Sequence, residues 1–121
     1  MRQFDHEKLN VYQASITFVA WASELLLEIP KHLSIHNQFD RASTSIPLNI
    51  AEGNGKYTPA DRCRFFDNAR ASTLECAACL DVLVAKSILD QTVTTNGKEI
   101  LLDIVAMLVG LIRSNSPSRD V

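Results

Sequence analysis

The cysteines and histidines are the residues of this sequence best suited to redox or metal chemistry. Cys76 and Cys79 form a Cys-x-x-Cys pair, and His32 and His36 are spaced four residues apart. The cysteines lie inside an apolar helical pattern without a second such pair, and the histidines lie beside Pro30 in a predicted loop without a metalloprotease-type glutamate. We therefore interpret the cysteines as small core residues, and we expect neither a metal nor a cofactor.

No serine, histidine and carboxylate are arranged in the pattern of a nucleophilic catalyst. The segment Gly53–Lys56 contains two glycines and a lysine, but it lacks the spacing of a phosphate-binding P-loop and follows a predicted helix, so it predicts a turn. We expect a non-enzymatic protein. The alternative is a ligand-binding or catalytic pocket that uses Asn49, Glu52 and Glu75, and it requires a concave site enclosing them.

Two stripes of polar side chains lie at helical spacing on segments that we predict to be adjacent helices. Residues three or four positions apart share a helix face, so the stripes could form an interhelical hydrogen-bond network. They could equally set the helix register, face solvent, or form a ligand or partner site. The stripes consist of Arg41, Ser45, Asn49 and Glu52 on one helix and Asn68, Ser72 and Glu75 on the next.

Basic residues cluster where the second predicted helix ends and the third begins. Lys56, Arg62 and Arg64 lie within nine residues, and Arg70 follows further along the third helix. Repeated around a ring of subunits, these four residues would form a basic rim able to contact the phosphates of RNA or DNA. The alternative is an ordinary solvated helix surface.

Composition and charge restrict the classes of protein further. The chain has 121 residues, with 12 Lys+Arg against 14 Asp+Glu, for a formal net charge of −2. We therefore expect one domain spanning residues 1–121 and no overall coat of positive charge. The odd set of three cysteines and the polar N-terminus favour a cytoplasmic protein, and the apolar run Ile100–Ile112 is shorter than the roughly 20 residues that span a membrane.

Apolar spacing predicts an all-α fold with four helices, which pack as an antiparallel up-and-down bundle. Pro30 should end the first helix, and Gly53–Gly55 should end the second with left-handed conformations. Thr58 and Pro59 should begin the third as its N-cap and first residue. The expected bounds are about 5–29, 36–53, 58–90 and 98–114, followed by a frayed tail over 115–121.

The fourth predicted helix is apolar on more than one face. In a domain of this size, such a helix needs a neighbouring subunit to cover its outer face. We therefore expect a closed, symmetric homo-oligomer.

Three segments form a recognisable pattern. The segment Arg41–Gly53 reads RASTSIPLNIAEG and carries most of it, and Phe4–Tyr12 and Arg64–Glu75 supply flanking features. The pattern resembles the four helix bundle protein family, whose members are encoded by intervening sequences of bacterial 23S rRNA genes or occur as free-standing relatives. The resemblance covers the chain from Phe4 to about Arg113.

The resemblance implies a four-helix bundle that assembles as a homopentameric ring, with a role linked to rRNA or another nucleic acid. The family is distantly similar to an accessory protein of diversity-generating retroelements, which binds a reverse transcriptase and nucleic acid. A protein-recruiting scaffold without direct nucleic-acid binding is thus the alternative function. The resemblance also marks a set of family-type polar positions: Arg41, Ser45, Asn49, Glu52, Ser72 and Glu75.

Overall fold

The structure, a computed structural model, describes residues 2–119, and within them it is all-α. A short 3-10 helix, Asp5–Lys8, precedes four α-helices. These helices are α1 (Asn10–Leu26), α2 (Ser34–Asn54), α3 (Pro59–Ala85) and α4 (Gln91–Asn115). No strand is present in the described part of the chain.

The four helices form an antiparallel bundle in which each packs against its neighbours in sequence and α4 closes against α1. Short connections force successive helices to run in opposite directions. Between α3 and α4, for example, Cys63 contacts the carbonyl of Ile112 while Lys98 pairs with Asp81. The sequence-based prediction of a four-helix bundle is confirmed.

Large apolar side chains from all four helices fill one core. Phe18 and Phe39 pack edge to face, with ring centroids 6.2 Å apart, and both are fully buried. Leu80 and Leu108 bring α3 and α4 into the same core. Burial of each such side chain contributes about 1.5–3 kcal/mol to folding, so this core is the main source of stability.

The first helix is shorter than the predicted span of 5–29. Leu9 is extended, with φ −76° and ψ 129°, and separates the 3-10 helix from α1. At the other end, the amides of Leu27, Glu28 and Ile29 bond to carbonyls three residues earlier. These tighter turns end α1 before Pro30 is reached and allow Ile29 to be buried.

The connection between α3 and α4 lies earlier in the chain than predicted. α3 ends at Ala85 rather than about residue 90, and Ser87 has the left-handed φ of 61°. α4 begins at Gln91 rather than 98, because the Asp90 carboxylate caps it by accepting from the amide of Thr92 at 2.9 Å. This turn contains no glycine or proline, and the sequence analysis relied on those residues to locate helix ends, so it misplaced the turn.

The predicted left-handed glycines at the end of α2 are also wrong. α2 runs to Asn54, Gly55 has φ −84°, and no glycine in residues 2–119 has a positive φ. Gly53 is small for a different reason: a Cβ there would lie 2.8 Å from the ring of Phe66. Its role is to let α2 and α3 approach closely.

The described part of the C-terminal segment lies against α3. Residues 116–119 turn back toward α3, where the Arg119 guanidinium bonds both carboxylate oxygens of Asp67 at 2.6 and 2.7 Å. The last two residues of the predicted frayed tail, 120–121, lie outside the described residues.

Substitution of Gly97 tests the contact between α1 and α4. A Cβ at Gly97 would lie 2.3 Å from the ring of Trp21, so Gly97→Ala should destabilise the bundle by about 1–3 kcal/mol through overpacking. Gly110 lies in the same helix with nothing within 4 Å of its Cβ position, so Gly110→Ala should stabilise by up to about 1 kcal/mol. Urea unfolding followed by circular dichroism measures both, and equal effects would contradict the contact.

Candidate nucleic-acid interface

The turn between α2 and α3 is held by backbone and side-chain hydrogen bonds. The Lys56 amide donates to the Gly53 carbonyl at 3.2 Å. The Thr58 hydroxyl accepts from the Asp61 amide at 3.1 Å, with Pro59 at the first helical position, as the sequence predicts. These contacts fix the path of the four residues that connect the two helices.

Two of the predicted basic residues meet over one aromatic ring beside this turn. Lys56 Nζ and Arg64 Cζ each lie 5.1 Å from the centroid of the Phe65 ring, within cation–π range. Tyr57 follows Lys56 and is 99% exposed. We call Lys56, Tyr57, Arg64 and Phe65 the cationic–aromatic patch.

Arg62 lies next to the patch, but its guanidinium is committed to internal acceptors. It donates to the Asn54 carbonyl at 2.7 Å and to the side-chain oxygen of Asn115 at 2.9 Å, and it packs 5.6 Å from the Phe66 ring centroid. Arg62 thus joins the ends of α2, α3 and α4. These hydrogen bonds position the turn. The guanidinium also adds its positive charge to this part of the surface.

Arg70 is separate from the other candidate basic residues. It follows Arg64 by six residues on α3, which places it roughly 120° around the helix axis. Arg70 is half-buried, and its Nε is buried without a hydrogen-bond partner among residues 2–119. The structure therefore brings Lys56 and Arg64 together and leaves Arg70 on another face.

The polar stripes meet across α2 and α3 at one point. The hydroxyls of Ser45 and Ser72 share a hydrogen bond of 2.5 Å, and Asn49 donates to the Ser45 carbonyl at 2.8 Å. An open groove of about 430 Å³ lies beside this contact, lined by Arg41, Ser45 and Glu75 with two α2 neighbours. Half of the family-type set thus surrounds one groove.

Glu52 and Asn68 stand apart from that contact. Both are exposed, and neither has a side-chain hydrogen bond or ion pair within the described chain. Of Asn49, Glu52 and Glu75, only Glu75 lines the groove between α2 and α3.

The three cysteines are free thiols inside the bundle. Burial raises the pKa of the Cys76 and Cys79 thiols, and the neighbouring Glu75 carboxylate raises both further. Cys63 contacts the Ile112 carbonyl at 3.7 Å. Thiols with raised pKa values stay protonated and are therefore poor nucleophiles. Residues 2–119 contain no group of three histidine, cysteine or acidic residues able to hold a metal.

Sequence reasoning did not select Tyr57 or Phe65 as functional residues. The available signal was local: an aromatic residue directly beside each of the two cations Lys56 and Arg64. Basic and aromatic residues interleaved in this way are typical of surfaces that bind single-stranded nucleic acids. Only the structure shows that Lys56 and Arg64 both lie over the Phe65 ring, whereas the Tyr57 side chain is exposed.

Comparison with known proteins decides the family. Residues 7–110 match the model of the 23S rRNA-intervening sequence protein family. The chain belongs to this family. The match contains the cationic–aromatic patch and the polar stripes, and it confirms the resemblance inferred from the sequence.

A solved structure has a fold similar to that of this chain. The chain is similar to a protein of unknown function from the S23 ribosomal protein family of Bacteroides thetaiotaomicron, with a TM-score of 0.80 and 21% identity. The alignment covers 85% of this chain and 98% of that one. No curated protein matches the chain. Within residues 2–119, none of the helices is long and apolar enough to cross a membrane.

Two substitutions distinguish the parts of the polar stripes. Ser72→Ala removes the hydroxyl that bonds Ser45 between half-buried helix faces, so it should destabilise the bundle by about 1 kcal/mol. Glu52→Ala removes an exposed carboxylate and should change stability by less than about 0.5 kcal/mol. Chemical unfolding gives both values. A larger loss for Glu52→Ala than for Ser72→Ala would refute this division.

Proposed function

We propose that this member of the 23S rRNA-intervening sequence protein family is a non-enzymatic, oligomeric module that binds nucleic acid through the cationic–aromatic patch. The observation that carries the proposal is the placement of Lys56 and Arg64 over Phe65. Neither cation forms an ion pair within residues 2–119, so both charges are free to contact phosphates.

The local charge supports this location on a chain whose net charge is −2. The segment 56–64 has three basic residues against the single carboxylate of Asp61, for a local net charge of +2. Glu52, near the end of α2, is the closest further acid in sequence before the turn. A local excess of positive charge attracts a polyanion even when the whole protein is mildly acidic.

An apolar groove between α3 and α4 supports the oligomeric part of the proposal. It measures about 290 Å³ and is lined mainly by apolar side chains. Leu74 is 50% exposed and Leu102 is 69% exposed beside it. A second copy that covers this groove would remove those leucines from water, and each protomer would add another patch to the assembly. The family resemblance favours five copies in a ring.

Salt-dependent binding tests the nucleic-acid part. We expect the purified protein to bind fluorescent RNA or DNA at low salt, with an affinity that falls steeply as salt rises, because phosphate contacts release counterions. Lys56→Glu combined with Arg64→Glu should weaken binding at least tenfold. Fluorescence anisotropy across a salt series provides the measurement.

The matched control reverses two lysines at the opposite end of the bundle. Lys31 and Lys86 are exposed and lie in or next to the connections there, so Lys31→Glu with Lys86→Glu makes the same change in net charge. Equal loss of binding in both double variants would mean that net charge, not the patch, controls affinity. Absence of binding to any nucleic acid by a well-folded oligomer would leave the protein-recruiting scaffold as the function.

Light scattering tests the oligomeric part. Leu102→Glu places a charge in the α3/α4 groove and should lower the mass toward that of a 13.4 kDa monomer. Leu27→Glu changes another strongly exposed leucine, which directly follows the last residue of α1 and is 80% exposed. This variant should keep the native mass. A monomeric unsubstituted protein, or an intact Leu102→Glu oligomer, would reject this groove as the interface.

A further inference from the structure

Tyr57 is held in an exposed position by an ordered backbone. The residue before it is tied to α2 by the bond from the Lys56 amide to the Gly53 carbonyl, and the residue after it caps α3. Pro59 further restricts the backbone. A tyrosine side chain has few rotatable bonds, so ordering it against a ligand costs little conformational entropy.

Two cations are close to Tyr57 in the chain, one in the same turn and one near the start of α3. Lys56 is directly adjacent to Tyr57, and Arg64 lies over the same Phe65 ring as Lys56. Arg64 also lines a groove of about 360 Å³ between the start of α3 and the end of α4, where the Asp67 carboxylate is already paired with Arg119. Two cations and an exposed aromatic ring therefore occur in the same short part of the chain, and one of the cations borders a groove.

We infer that the cationic–aromatic patch binds unpaired nucleobases of single-stranded nucleic acid, which stack on Tyr57 while Lys56 and Arg64 contact the flanking phosphates. This inference rests on the proposed nucleic-acid function and specifies its substrate class. Base–aromatic stacking requires an unpaired base whose face is free, and in a duplex both faces are already stacked on neighbouring bases. The patch therefore selects single strands, loops or bulges over duplex.

The test uses the full-length protein and three fluorescein-labelled probes: a 12-nucleotide oligoadenylate RNA, a 12-base-pair RNA duplex, and an abasic strand of the same length. We expect the oligoadenylate to bind most tightly. Tyr57→Ala should weaken its binding about 5- to 150-fold, the range expected for loss of one stacked base, with little effect on the abasic strand. Tyr57→Phe keeps the ring and should restore most of the affinity lost in Tyr57→Ala.

The control variant is Leu27→Ala, which removes a comparably exposed apolar side chain at the opposite end of the bundle and should leave oligoadenylate binding unchanged. A second readout is 2-aminopurine placed in the strand, whose fluorescence should change on binding to the unsubstituted protein but not to Tyr57→Ala. Circular dichroism of each variant confirms that the bundle is folded.

The outcomes separate this inference from the proposed function. If Tyr57→Ala binds oligoadenylate within twofold of the unsubstituted protein while the Lys56→Glu, Arg64→Glu variant loses binding, stacking is rejected and phosphate binding stands. Equal affinity for the duplex and the single strand would likewise reject the inference. If no probe binds the unsubstituted protein at low salt, the proposed function and the inference both fail.

Discussion

The guanidinium of Arg62 is the interaction on which the candidate interface depends. It bonds the Asn54 carbonyl at the end of α2 and the Asn115 side chain at the end of α4, while its plane packs near Phe66 of its own helix. Carbonyls at a helix C-terminus lack intrahelical donors, so a cation placed there satisfies them and complements the helix dipole. Three helix ends are thereby held together, and the turn that carries Lys56 and Tyr57 starts from a fixed position.

Close packing of α2 against α3 provides the second constraint on that turn. Gly53 allows the Phe66 ring to approach its backbone, and the hydroxyls of Ser45 and Ser72 meet two turns further along the same interface. The glycine of the RASTSIPLNIAEG segment is therefore explained by space rather than by a left-handed conformation. Within the polar stripes, Ser45 and Ser72 bond each other between α2 and α3, whereas Glu52 is exposed at the surface.

The apolar face of α4 is divided between the core and the surface of the single chain. Leu101, Ile104, Leu108 and Ile112 are buried in the bundle, whereas Leu102 remains 69% exposed. A four-helix bundle of this size buries only one stripe of each helix, so the additional leucines must face outward. This excess of apolar surface distinguishes the outer face of α3 and α4.

The sequence by itself determined the number of helices, the start of α3 at Thr58 and Pro59, and the family, because helical periodicity, capping and motif identity are local properties. It misplaced the α3/α4 turn, since Asp90 caps α4 without a glycine or proline nearby. Only the tertiary structure decided which cations are free of internal hydrogen bonds. In the sequence, Arg62 and Lys56 are both basic residues near the same turn. In the fold, acceptors from α2 and α4 engage Arg62, while Lys56 lies over Phe65. Such acceptors come from residues distant in the chain, and their positions follow from helix packing rather than from local spacing.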